Sequence, residues 1–256
     1  MFFGKKAFKQ AYKIISESSV VHNTRLHLNE RLSAKYNANI YFKREDLQPV
    51  RSFKIRGAYY KIFKYYNDNN NITISTCSAG NHAQGVANTC NSIGIKHTIF
   101  VPNSTPKQKI DRIKYFGGNY LDLQITGDNF QECLHESLKF SDSNSSIFVH
   151  PFNDYDVILG QSTVAQEIYN EITPDFIFAG VGGGGLISGL GAYSKLINPF
   201  CKIIGVEPSN ANSLELSLNN KYITQIDNVD TFVDGAAVKE VGIKCFDICC
   251  EVVDKV

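Results

Sequence analysis

The sequence has no tryptophan and a single methionine among 256 residues. Asparagine is abundant and lysine outnumbers arginine, which marks a biased genome more than a fold. Long apolar runs are missing. The longest, Asp175 to Val181, is strand-sized, far below the ~20 residues of a membrane-spanning helix. The start, Met1 to Lys13, is interrupted by Lys5, Lys6 and Lys9 and has no small-residue cleavage site, so no secretory signal is expected. An excess of one charge is missing as well: 26 basic residues face 25 acidic ones, a net charge of +1. That balance excludes a strongly basic nucleic-acid binder by composition. The seven cysteines (Cys77, Cys90, Cys133, Cys201, Cys245, Cys249 and Cys250) form no CxxC pair, and no histidine pair stands at zinc-ligand spacing. A metal site and a disulfide framework are therefore not expected; buried, reduced thiols in a cytoplasmic protein are. No internal repeat and no Pro- or Gly-rich linker is found.

What is present builds a core. The chain is 43% hydrophobic and 20% charged, enough for one large or two modest domains. Short β-branched or aromatic runs are read as strands: Asn39 to Lys43, Thr73 to Cys77, Lys96 to Val101, Tyr120 to Gln124, Ser146 to Val149, Asp175 to Val181 and Lys202 to Val206. Amphipathic helices are expected between them, over His82 to Ile93, Lys107 to Tyr115, Asp128 to Lys139, Val157 to Tyr169, Leu186 to Ile197 and Val238 to Cys250. Asp128 is the expected N-cap of its helix. The run from Asn67 to Asn71 reads as a surface loop. Strands alternating with helices predict an α/β fold with mostly parallel sheet. In such sheets ligands bind where strands end and helices begin.

Three segments carry chemistry, two of them at such places. Gly182-Gly183-Gly184-Gly185 follows the strand DFIFAGV and opens a helix. Its backbone N–H groups and the helix N-terminus form a phosphate cradle. No Gly-Lys-Ser/Thr follows, so it is not a Walker A loop, and it does not fit GxGxxG. Glu207, at the end of the next strand, still leaves a nicotinamide dinucleotide as a rival ligand. The second segment is Ser52-Phe53-Lys54-Ile55-Arg56-Gly57. Lys54 lies between apolar neighbours and near the cations Arg51 and Arg56, a setting that disfavours its charged form. A neutral amine can form an imine with an aldehyde. The third is Ser78-Ala79-Gly80-Asn81-His82, again strand to helix. Its small residues admit a flat ligand, and Asn81 can hold a carboxylate or a ring oxygen. His82 is expected to pack or orient the loop, since no acidic neighbour tunes it. An aldehyde, a phosphate and a ring hydroxyl together match pyridoxal 5′-phosphate.

The segments KREDLQPVRSFKIRGAY, SAGNHAQGVA and VGGGGLISG resemble the threonine dehydratases (threonine ammonia-lyases), within the tryptophan-synthase-β-like pyridoxal-phosphate enzymes. The likeness continues through TPKQKI, TGDNF, HPFND, GQST, GVEPSNANS and FVDGAAVK. It implies two open α/β domains with the cofactor between them: residues 46–149 the smaller, residues 1–45 and 150–256 the larger. It implies that Lys54 is the Schiff-base lysine with Phe53 beside it. Asn81 would bond the pyridoxal ring oxygen, and Gly182, Gly183, Gly184, Gly185 and Leu186 would bind the phosphate. Ser78, Ala79, Gly80, Asn81 and His82 would bind the substrate. The implied reaction takes L-threonine to 2-oxobutanoate and ammonia, with L-serine to pyruvate beside it, in isoleucine biosynthesis or threonine catabolism. Related serine racemases carry a serine where this chain has Ala79, and a methyl group cannot shuttle a proton to the second face. Racemisation is thus the weaker alternative; a nicotinamide enzyme and a catalytically incomplete remnant are the others. The serine that the family offers to the pyridine nitrogen, in a Ser-Gly-Gly/Ala-Asn segment, has no counterpart up to Val256. The resemblance therefore implies a C-terminally shortened chain, with Val253 to Val256 the start of a further strand, an exposed sheet edge and poor solubility. A complete protein is expected to be a homo-oligomer acting on a small amino acid, with no metal, membrane or nucleic acid.

Overall fold

The computed structural model describes residues 2–68 and 72–256. The chain opens with α1 (Lys5–Ser16), which buries Phe8, Ala11 and Ile15 along one stripe. Strands β1 (Leu26–Leu28) and β2 (Tyr41–Lys43) pair antiparallel around α2 (Glu30–Tyr36). Next come α3 (Lys54–Asp68), β3 (Ile74–Cys77), α4 (Asn81–Ile93), β4 (His97–Val101), α5 (Lys107–Gly117), β5 (Leu121–Ile125), α6 (Phe130–Ser143) and β6 (Ile147–Phe148). The four strands from β3 to β6 make one parallel sheet in the order β5-β4-β3-β6. Its central strands β3 and β4 are buried at every residue, as strands covered by helices on both faces are. The chain continues through α7 (Tyr155–Glu171), β7 (Phe176–Gly180), α8 (Gly185–Ile197), β8 (Lys202–Val206), α9 (Ser213–Asn220) and α10 (Ile243–Val252). Strands β7 and β8 pair in parallel, and Lys255 bridges in parallel to Ile204 of β8. The architecture is α/β with mostly parallel sheet, as expected. Phe176 and Phe178 stand exposed on β7.

Helix α7 is the axle of the molecule, buried from Val157 to Ile168. Glycines let its neighbours approach to backbone contact. A Cβ on Gly160 would lie 2.6 Å from the Cα of Gly57 on α3, and one on Gly189 of α8 would lie 2.5 Å from the Ile158 carbonyl oxygen. Helix α4 closes on α3 in the same way, since a Cβ on Gly85 would meet the Ile55 nitrogen at 3.1 Å. These crossings bring the N-termini of α3, α4 and α8 to one region.

Several local expectations are corrected. The N-cap of α6 is Asn129, whose Oδ1 accepts the Glu132 N–H at 3.0 Å. Asp128 instead accepts a bond from Asn103 Nδ2. Asn67 and Asp68 belong to the last turn of α3, and residues 69–71 lie outside the described residues. The last helix begins at Ile243 and not at Val238. Six cysteines are buried and Cys250 is exposed. Among the described residues no helix is long and apolar enough to cross a membrane.

Candidate active site

Lys54 opens α3. Its Nζ donates to the carbonyl oxygen of Pro151 at 2.7 Å. The rings of Phe53 and Phe152 stand 5.5 and 5.9 Å from the same nitrogen. Burial lowers the Lys54 pKa to about 8, against a smaller opposing pull from Cys245. About a tenth of the amine is then neutral at pH 7, and the neutral form is what nucleophilic attack on a carbonyl requires.

The expected help from Arg56 is absent. Arg56 is fully buried and forms paired bonds to two carboxylates. It reaches Glu45 at 2.7 and 2.8 Å and Glu167 at 2.7 and 2.8 Å. Burial works against its charge, but these hydrogen bonds outweigh it and the guanidinium stays charged. Lys43 completes a four-charge cluster through Glu167 at 2.6 Å. The cluster ties β2, α3 and α7 together and sums to zero charge. The lowered pKa of the Lys54 amine therefore comes from burial and not from neighbouring cations.

The glycine loop turns sharply into α8, with Gly184 at φ +89°. This left-handed conformation favours glycine. Gly183 and Gly184 are buried, and their N–H groups have no hydrogen-bond partner among the described residues. Buried unpaired N–H groups are rare in proteins. Beside the start of a helix they suit the oxygens of a phosphate. The Phe152 ring covers Gly183 so closely that a Cβ there would lie 2.3 Å from it. Phe152 thus packs on the glycine loop and lies beside the Lys54 amine. Leu186 follows in the first turn of α8, partly buried against the core.

Ser78, Ala79 and Gly80 form the exit from β3, and Asn81 begins α4 with its side chain exposed. The Gly85 approach sets this turn against the Lys54–Ile55 backbone. His82 is buried, and its Nε2 donates to the Val149 carbonyl at 2.9 Å. Burial, with the Lys54 charge adding to it, lowers its pKa to about 3. His82 is neutral and bonded to the chain just after β6. Glu207 is no free ribose-binding acid. Both of its carboxylate oxygens accept backbone N–H groups at the start of α9, from Leu214 at 3.0 Å and Glu215 at 2.9 Å.

Sequence reasoning assigned no role to the turn His150-Pro151-Phe152-Asn153-Asp154. It supplies the Lys54 acceptor and the ring over Gly183. Its available signal was the Asn-Asp pair before an apolar periodic run, a helix-start pattern. Asp154 does cap α7, accepting the N–H groups of Asp156 and Val157 at 2.9 and 3.1 Å.

Comparison with known proteins follows the same lines. Residues 18–256 match the family described as "Pyridoxal-phosphate dependent enzyme". The chain is 46% identical over 239 residues to the biosynthetic L-threonine dehydratase IlvA of Bacillus subtilis, covering 93% of this chain and 57% of that protein. It is 44% identical to the namesake from Halalkalibacterium halodurans, covering 93% and 58%. The chain therefore spans somewhat more than half the length of these relatives. Among solved structures, the processed threonine deaminase isoform 2 of Solanum lycopersicum superposes with a TM-score of 0.89 at 39% identity, covering 99% of this chain and 75% of that one. Maize serine racemase superposes with 0.90 at 28% identity, covering 98% and 75%.

Proposed function

This chain belongs to the pyridoxal-phosphate dependent enzymes, and on that premise we propose that it carries the catalytic residues of a threonine ammonia-lyase. The reaction would convert L-threonine to 2-oxobutanoate and ammonia, and L-serine to pyruvate. The observation that carries the reading is the pairing of a buried amine of lowered basicity at Lys54 with the unpartnered N–H groups of Gly183 and Gly184. When bound, pyridoxal phosphate supplies an aldehyde and a ring that accepts the electron pair left at the substrate α-carbon. Lys54 would hold the cofactor through Nζ. Once released by the substrate amine, Nζ would take the α-proton. Gly182 to Gly185 and Leu186 would bind the phosphate, with Phe152 shielding it from water. Asn81 would hold the ring oxygen, with Phe53 beside Lys54. The turn from Ser78 to His82 would clamp the substrate carboxylate.

The division into a unit of residues 46–149 and one of residues 1–45 and 150–256 belongs to the same reading. It is supported by the four-stranded sheet, which draws every strand from residues 74–148. A cytoplasmic place, a homo-oligomeric complete protein and a role in isoleucine synthesis complete the proposal. The biosynthetic relatives favour that role over threonine catabolism.

Ala79 favours elimination over racemisation, because its methyl group offers no proton on the face opposite Lys54. With L-serine, an active form should release pyruvate much faster than D-serine. The Ala79→Ser variant should raise the D-serine share. Equal D-serine release by the native form would remove the argument from Ala79.

The test of the cofactor site uses the 256-residue chain. Incubated with pyridoxal phosphate, reduced with borohydride and digested, it should carry the label on the peptide containing Lys54. Lys54→Ala should carry none there. Label on another lysine in folded protein would overturn the assignment.

A further inference from the structure

Residues 149 to 154 form a continuous hub between five parts of the fold. The Val149 carbonyl accepts from His82 of α4. The Pro151 carbonyl accepts from Lys54 of α3. The Phe152 carbonyl accepts the Cys245 thiol of α10 at 3.3 Å, and the Phe152 ring covers Gly183. Asn153 Oδ1 accepts the Lys244 N–H at 2.9 Å, at the start of α10. Asp154 caps α7 and pairs with Lys61 of α3. One side chain holds the backbone of this hub in shape. His150 Nδ1 accepts the N–H groups of Phe152 at 3.2 Å and Asn153 at 2.9 Å. Its ring meets that of Phe152 edge to face, with centroids 4.7 Å apart.

We propose that His150 is a positioning residue for Lys54: by accepting two N–H groups it fixes the turn whose Pro151 carbonyl holds the Lys54 amine, and so sets where that amine waits. The inference rests on Lys54 being the cofactor lysine, and goes beyond that assignment by naming what places it. Accepting at Nδ1 requires that this nitrogen carry no proton. The surroundings enforce that state. Burial lowers the His150 pKa to about 4, opposed by Asp154 and aided by the charges of Lys54, Lys61 and Lys244. A charged His150 would lose both acceptor bonds and release the turn.

Three variants of the 256-residue chain separate the acceptor from the ring. His150→Asn keeps an acceptor one bond beyond Cγ, where Nδ1 stands. His150→Gln moves the acceptor outward by one bond, and His150→Leu removes it. The first readout needs no cofactor. Trace acetylation with acetic anhydride across pH 6–11, followed by peptide mass spectrometry, gives the pH midpoint of Lys54 against the other lysines. With the turn released, the Lys54 amine loses its fixed acceptor and its labelling midpoint should move from the native value by about one pH unit or more in the Leu and Gln variants. The Asn variant should stay close to native. Pyridoxal phosphate affinity, read from imine absorbance, should weaken in the same two variants and hold in the third.

If all three variants keep the native midpoint, or if Asn shifts as far as Leu, His150 does not position Lys54. The positioning role is equally overturned if Leu and Gln both fail to fold while Asn folds, since His150 then serves the fold alone. Failure of the native chain to take cofactor at Lys54 would sink the proposed function, while the acetylation series would still judge the positioning role on its own.

Discussion

At the scale of single residues, the close approach of Phe152 to Gly183 makes the site intolerant of one methyl group. A Cβ at Gly183 would lie 2.3 Å from the ring, so the ring or the loop must move. Overpacking of this kind costs about 1–3 kcal/mol. Gly183→Ala should lower the melting temperature and weaken pyridoxal phosphate binding together, and a second change, Phe152→Leu, should restore part of both. Melting curves and cofactor titrations of the single and double variants check this; an unchanged Gly183→Ala protein would show that the loop has room to spare. Asn81 and the four glycines stand out in the sequence because each lies at a strand-to-helix junction, and Lys54 because of its apolar neighbours. Only part of the reason for the lowered Lys54 pKa was legible, in its apolar neighbours. Adjacent cations in the sequence suggested repulsion, yet Arg56 is turned away from that role and neutralised by Glu45 and Glu167. Glu207 misled in the same way, because a carboxylate at a strand end can serve a ribose or cap the following helix, and only the fold decides.

At the scale of elements, the Arg56 cluster joins pieces that are distant in sequence. Glu45 follows β2, Arg56 lies on α3 and Glu167 on α7. Removing one member of a buried charge cluster leaves the others unpaired and costs about 3–5 kcal/mol. Arg56→Met should therefore destabilise strongly although it preserves volume, and Glu167→Gln should cost less because it keeps a hydrogen-bonding group beside Arg56. Urea titrations of both variants would reveal the order, and a fully stable Arg56→Met protein would mean that the carboxylates find other partners. Most strands and the helices of the βαβ units were legible through apolar period and strand-ending residues. Four helices and one strand were not proposed: α1, α2, α3, α9 and β1. Helix α3 is the instructive miss. Its sequence carries Arg56, Gly57 and a dense run of tyrosine and lysine, which masks the apolar stripe. The helix is stabilised instead by the Gly57–Gly160 crossing and the Arg56–Glu167 ion pair, both of which depend on α7 about 100 residues later.

At the scale of the whole molecule, the buried histidines make stability depend on pH from about pH 6.5 downward. Burial lowers the pKa of His82 to about 3 and of His150 to about 4, and lowers that of His97 as well. In the unfolded chain each imidazole would return to about 6.5. Between about pH 6.5 and pH 4 the unfolded state therefore binds more protons than the folded one, and stability falls as the pH falls through that window. Each imidazole contributes a slope approaching about 1.4 kcal/mol per pH unit. Two of them across about two units remove on the order of 5 kcal/mol, comparable with the whole stability of a typical domain. Asp254, held at about 2 by Lys195, Lys202 and the Ile203 N–H against the burial that opposes them, adds its loss only at lower pH. The expected result is a urea midpoint that is level from pH 8 to 7, drops steeply from about pH 6.5 to 4.5, and drops less steeply in His82→Asn. A midpoint that stays level down to pH 4.5 would show that the imidazoles gain solvent or counter-charges as the pH falls, and that they are not the groups through which acid unfolds this fold.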